Sequence, residues 1–250
     1  MFEHFKGEEV FVKKVLDYLD QVQYKQRLIL TQFLDPYHQS IVKSVIGHQD
    51  EVQVLENGGF IHSESQRMII APYFYEIEKE DFEIVVCKII YAKNFEKLTH
   101  RDILGALMSL GIKRELFGDI VEKDKDFYLA VDRHIYEYLK DHLSMIKRSK
   151  VKFVEWDEEV KNDYLVKSFI VSSFRLDKII SSFYKISRQK AAEFIRAGHV
   201  KVNHKPVEQI NYLCNNKDII SFKKHGRVMF VDCNKQTRSD NYVVEGYFYK

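Results

Sequence analysis

The 250-residue sequence has no run of 18 apolar residues. Its best candidate, Phe82 to Ala92, is broken by Glu83 and Lys88, which excludes a membrane helix of ordinary length. The opening MFEHFKGEEV has neither the basic start nor the apolar core of a secretory signal. Cysteine is scarce: Cys87, Cys214 and Cys233 form no CxxC pair and leave one over. That excludes a disulfide framework and a zinc ribbon, and fits reduced thiols in a cytoplasm. There are only three prolines, and low-complexity tracts and internal repeats are absent. What remains is 45% hydrophobic and 30% charged, a folded chain long enough for one to three domains.

The net charge of +2 hides an uneven division. Arg175 to Arg227 holds 12 Lys and Arg against 4 Asp and Glu, a balance of +8. The remainder carries 27 basic and 33 acidic residues, or −6. Such asymmetry points to one polyanion-facing module on a mildly acidic protein, although a solvated lysine-rich face gives the same count.

The first segment, 1–78, reads as an α/β domain. Val12, Val15, Leu16, Leu19 and Val22 mark one face of a helix. Asp35-Pro36 is the cap and first residue of a second helix, which Gly47 ends. Glu51 to Leu55, Asn57-Gly58-Gly59 and Phe60 to His62 predict a hairpin, and Arg67 to Tyr73 another strand. No GK[ST] follows the paired glycines, so a phosphate loop is not indicated.

Residues 79–156 read strand, helix, strand, strand, helix, strand. Thr99 and Asp102 form a capping pair at the first helix, and Ile103, Leu107 and Leu110 line it. This βαββαβ order is that of a ferredoxin-like sandwich, the scaffold RNA-recognition motifs also use. The aromatic signature of those motifs is missing: Lys125 to Val131 reads KDFYLAV, without the glycine. An acidic linker is expected over 157–172, with Tyr164 to Ser172 a strand leading into the last domain, 173–250.

That last domain is the most specific part. Leu176, Ile179, Ile180 and Phe183 stripe a helix, and Ser187 caps a second one, carrying Ala191, Phe194 and Ile195 inward and ending at Gly198. Arg188, Ala192 and Arg196 recur every four residues, so two guanidinium forks share an exposed ridge suited to phosphate oxygens. Short strands at Val200-Lys201-Val202 and Asp218-Ile219-Ile220 follow, then the basic turn Lys223-Lys224-His225-Gly226-Arg227.

The run RLDKII…SRQKAAEFIRAGHVKVNHKPV…KDIISF, closed by KKHGR, resembles the S4 domain, an αL-type RNA-binding module. The resemblance implies RNA contact at Arg175, Lys178, Ser187, Arg188, Lys190, Arg196, Lys201 and Asn203, although Asn203 also suits a turn with positive φ and Lys190 a solvated face. The basic positions Lys185, Lys205, Lys224 and Arg227 complete the candidate set. Upstream, FLDPYHQ (33–39), IIAPYF (69–74) and LTHRDILGALMSLGIKRELFGDI (98–120) extend the similarity to the YlmH family. That resemblance implies an α+β protein with an N-terminal domain, a ferredoxin-like middle and an S4 tail. It implies a cytoplasmic bacterial RNA-binding factor acting in ribosome quality control. Its implied partners are ribosomal RNA, transfer RNA and the large subunit carrying an obstructed peptidyl-tRNA. A monomer is expected, with no catalytic residue, cofactor or metal.

The enzyme readings are weaker. His100-Arg101-Asp102 has the letters of a kinase catalytic loop, but no nucleotide loop or DFG accompanies it. Arg175-Leu176-Asp177 has the RLD of pseudouridine synthases, yet the helix continues through it, which gives Asp177 a capping or ion-pair role. His199, His204 and His225 lack metal-ligand spacing. An RNA-modifying enzyme that uses the S4 domain to hold its substrate is the alternative.

Overall fold

The computed structural model describes residues 5, 7–47, 49–160, 164–203 and 205–249, and the chain divides into the compact units Met1–Asn162 and Asp163–Lys250. Together they form a mixed α/β protein with three sheets.

In the first unit, α1 (Glu9–Lys25), β1 (Ile29–Leu30), α2 (Pro36–Ile46), β2 (Val52–Asn57) and β3 (Arg67–Pro72) make a small layered module. Val12, Val15, Leu19 and Val22 of α1 are buried as the spacing predicts, whereas Leu16 is 38% exposed because it lies at the margin of the stripe. Asp35 caps α2 by accepting the His38 N–H at 2.9 Å, with Pro36 in the first turn. The sheet order is β1-β3-β2. β2 therefore pairs with β3, not with Phe60 to His62, and the expected hairpin is corrected. The reason is sterically visible at Gly59. Its φ is +85°, and a Cβ there would lie 2.9 Å from Val86 Cγ2, so the glycine lets the loop backbone press on the next module instead of turning back.

That module runs β4 (Ile84–Tyr91), α3 (His100–Ser109), β5 (Phe117–Lys123), β6 (Asp126–Asp132), α4 (Arg133–His142), β7 (Met145–Ile146) and β8 (Ser149–Glu155). Its sheet order, β5-β6-β4-β8-β7, is ferredoxin-like with a hairpin added at the β8 edge. Alternation along the strands turns Val85, Cys87, Ile89, Phe127, Leu129 and Val131 toward Ile103, Leu107, Tyr136 and Leu139 of the two helices. Thr99 and Asp102 form the expected capping box, and Lys147 Nζ lies 2.7 Å from the Asp102 carboxylate.

Polar contacts centred on Arg67 and on Asp119 help join the modules of this unit. Arg67 on β3 donates to the Thr31 carbonyl at 2.9 Å and to the Asp132 carboxylate at 2.9 Å, while the other Asp132 oxygen caps α4. Asp119 accepts the Glu64 N–H at 2.6 Å and the Ser65 N–H at 3.2 Å. Burial, reinforced by Glu64, pushes its carboxyl up to about 6 despite those two donors.

In the second unit, β9 (Tyr164–Val171) precedes α5 (Leu176–Tyr184) and α6 (Arg188–Arg196), followed by β10 (Val200–Val202), β11 (Lys205–Pro206), β12 (Ile219–Phe222), β13 (Gly226–Gln236) and β14 (Tyr242–Tyr249). They form one antiparallel sheet, β11-β10-β12-β13-β14-β9. The strand expected from Tyr164 is present and is the edge strand of this sheet, paired along its whole length with β14. Phe169, Phe183 and Phe248 meet beneath α5, with Phe169 and Phe183 centroids 4.6 Å apart.

Candidate nucleic-acid interface

The basic face is built on α5 and α6. Leu176, Ile179, Ile180 and Phe183 are all within the buried core, Asp177 is buried beside them, and Lys178 is half-buried. The helix stops at Lys185, whose φ of 52° reverses the chain, and Ser187 then caps α6 by accepting the Lys190 N–H at 3.2 Å. Ala191 and Ile195 anchor α6 inward, which leaves Arg188, Lys190 and Arg196 exposed. Arg188 and Arg196 are eight residues apart, roughly 12 Å along the helix axis.

Asp177 organises this face from below. Its side chain is only 2% exposed, and both oxygens are committed: Oδ1 accepts from Arg175 Nε at 3.0 Å, and Oδ2 from Arg188 Nε at 2.6 Å. A second Arg175 nitrogen, Nη2, donates to Oδ2 at 3.3 Å. Burial alone would raise the Asp177 pKa, but the two guanidinium groups outweigh it and hold the carboxyl below its ordinary range. One buried anion therefore fixes two forks side by side, one just before α5 and one at the start of α6. The RLD aspartate is an ion-pair residue, not a helix cap, because α5 begins without a side-chain cap.

The other candidates divide by what they touch. Lys178 Nζ lies 2.9 Å from Ser172 Oγ. Lys201 is the exposed middle residue of β10, between buried Val200 and Val202. Lys205, on β11, and Lys224, in the turn before β13, are exposed as well. Arg227 lays its guanidinium 4.7 Å from the Tyr249 ring centroid. Asn203 has φ of 48°, and its amide is used on both ends: Nδ2 donates to Asp218 at 2.8 Å, and Oδ1 accepts the Ile219 N–H at 2.9 Å. Its turn role is thus fully occupied, and Ser187 has its capping role. His225 stacks on Phe222 with centroids 4.0 Å apart, and His204 lies outside the described residues. Among the described residues, no three His, Cys, Asp or Glu side chains gather as a metal site.

The middle module presents a different surface from the one its fold suggests. In ferredoxin-like RNA binders, bases stack on aromatics of the open sheet face. Here that face carries Tyr128, Ala130 and Val121, and it is covered by Phe60 from the glycine loop and by Trp156 and Val160 beyond β8. Tyr128 is only 5% exposed, its ring 5.5 Å from that of Trp156. Lys88 Nζ lies 4.9 Å from the Trp156 ring centroid and 2.8 Å from Asp126. The stacking platform is therefore filled from within the unit. Local sequence does not reveal this lid, because Phe60 comes from a loop 24 residues before β4 and Trp156 must fold back from the end of β8 to reach Tyr128.

Three family models match the chain in order. They are described as "YlmH, N-terminal" over residues 7–74, "Putative RNA-binding domain in YlmH" over 78–159, and "S4 domain" over 174–220. The chain is 33% identical over 249 residues to the "Ribosome-associated protein quality control protein P2" of Bacillus subtilis, covering 98% of this chain and 96% of that one. It is 29% identical over 90 residues to the "Small ribosomal subunit protein uS4c" of Pinus thunbergii, covering 36% of this chain and 44% of that one. Among solved structures it resembles the "Cell division protein ylmH from Streptococcus pneumoniae", with a TM-score of 0.55 and 29% identity over 65% of this chain and 99% of that one.

Proposed function

The chain belongs to the YlmH family, and from that footing we propose that it is a non-catalytic RNA-binding factor that docks its S4 domain on structured RNA of the large ribosomal subunit. The observation that carries the reading is the pair Arg175 and Arg188 pre-ordered by buried Asp177, with Arg196 farther along the same helix. Pre-ordered forks lose little entropy when they meet phosphates, and such contacts supply most of the affinity for an RNA backbone. Lys178, Lys185, Lys190, Lys201, Lys205, Lys224 and Arg227 extend the same positive field, while Ser187 and Asn203 hold the backbone that presents it. The name of the Bacillus subtilis relative supports a role in ribosome-associated quality control. Within that process, the proposed target is a subunit carrying an obstructed peptidyl-tRNA, with the transfer RNA a second contact. The protein acts there in the cytoplasm, as a monomer.

Co-sedimentation with purified large subunits tests the docking. Replacing Arg188 and Arg196 together by alanine should abolish association at moderate salt and lower the salt dependence by about one ion per lost phosphate contact. A double variant that sediments like the parent would refute S4 docking. The RNA-modifying alternative makes a different forecast: ribosomal RNA from a deletion strain would lack a modified nucleotide. An unchanged modification map is expected.

A further inference from the structure

Immediately after Pro72 ends β3, the chain places three aromatic residues in succession, Tyr73, Phe74 and Tyr75. In a strand, alternate rings of such a run would enter the core. Here the chain leaves the sheet, and the three residues are 66%, 59% and 37% exposed. The rings lean on one another, with Tyr73 to Phe74 centroids 5.9 Å apart at 82° and Phe74 to Tyr75 5.3 Å apart at 34°.

This segment is held in place rather than left loose. The Gln53 side-chain amide donates to the carbonyls of Pro72 at 3.0 Å, Tyr73 at 3.3 Å and Tyr75 at 2.7 Å. The Tyr73 N–H donates to the Glu51 carbonyl at 3.0 Å, and the Tyr75 hydroxyl to the Gln26 carbonyl at 3.2 Å. One glutamine thus gathers three carbonyls to hold an apolar surface in water. Contiguous exposed aromatic surface marks an interaction site, and aromatic residues are enriched in interface cores.

Charge identifies the occupant. Exposed Glu76, Glu78, Glu80, Asp81 and Glu83 follow directly, and Glu51 abuts Tyr73 through its backbone. Against these six acids stand Lys79 and, on either side of Gln26, Lys25 and Arg27. The net of −3 repels an RNA backbone and attracts a cation. Ring faces bind guanidinium and ammonium groups, and the carboxylates pair with them.

We propose that Tyr73, Phe74 and Tyr75, with the adjoining acidic run, form a docking site for a lysine- or arginine-rich segment of a partner protein. The site is independent of the S4 domain, and its failure would leave the RNA reading untouched.

Fluorescence anisotropy of a labelled arginine-rich decapeptide, titrated with the full chain, tests the site. Tyr73→Ala/Phe74→Ala should weaken peptide binding about tenfold, in keeping with loss of two cation–π faces. Glu76→Gln/Glu80→Gln should weaken it at low salt and flatten its salt dependence. Both pairs are exposed, so the thermal midpoint serves as the folding control and should stay at the parent value. No measurable peptide binding by the parent would overturn the proposal, as would unchanged peptide binding in both variants. Loss of binding to a single-stranded RNA oligonucleotide in Tyr73→Ala/Phe74→Ala, with peptide binding retained, would overturn it in favour of a base-stacking site.

Discussion

Asp177→Asn separates structural clamping from surface charge. The substitution keeps the shape of the side chain but removes the anion that binds Arg175 and Arg188. Hydrogen bonds to charged groups contribute about 1.5–3 kcal/mol each. Arg188 is 55% exposed and Arg175 34%, so solvent screens both and the combined loss is nearer 2–3 kcal/mol. In a unit of this size that corresponds to a fall of roughly 10–20 °C in its melting temperature. RNA affinity should fall about three- to tenfold, because the forks are no longer pre-ordered. The pH dependence supplies a second readout. The folded-state pKa of Asp177 is depressed below the ordinary value of 3.8, so its contribution is present above that pH and lost as pH falls through the folded value. Parent and variant melting curves should therefore converge in acid. Melting by circular dichroism and RNA binding by filter retention measure both effects. A variant that melts within about 2 °C of the parent at neutral pH would refute the clamp.

Asp119 behaves in the opposite sense. Its carboxyl is raised from 3.8 to about 6, so it favours the fold at low pH and loses that contribution as pH rises through 6. After allowance for partial exposure, stability of the first unit should fall by about 2 kcal/mol between pH 4 and 7, and Asp119→Asn should flatten that slope in urea titrations. Phe60→Ala should cost about 3 kcal/mol and shift the emission of Trp156, the single tryptophan of the chain, as the sheet face opens to water. An emission maximum unchanged from the parent would contradict the lid. Cys87 and Cys214 are buried, and burial pushes their thiols up, whereas Cys233 is half-exposed. Ellman's reagent should therefore titrate one thiol in the native protein and three after denaturation.

Local signals are legible in the sequence because they depend on neighbours in the chain. The α1 stripe, the Asp35-Pro36 start, the Thr99 and Asp102 box and the Ser187 cap are contacts spanning three or four residues. The S4 helices belong to this class, and so does the ridge carrying Arg188 and Arg196. Pairings between distant segments were not legible. β2 chooses β3 over the nearer Phe60 to His62, and β9 reaches β14 across the whole second unit, because each pairing is settled by burial of complete faces. Asp177 shows the boundary between the two. Its position suggested a cap or an ion pair, and only the approach of α6 brings Arg188 to its second oxygen. The Gln53 clamp and the Phe60 lid gave no residue pattern at all, since each acts on a segment brought near only by folding.

Ultraviolet crosslinking in living cells, followed by sequencing of the attached RNA and mass mapping of the crosslinked peptides, tests the RNA-docking account most directly. Peptides from Arg175 to Arg227 joined to large-subunit ribosomal RNA are the predicted result. Crosslinks confined to residues 78–159, or RNA with no enrichment of ribosomal sequence, would contradict it.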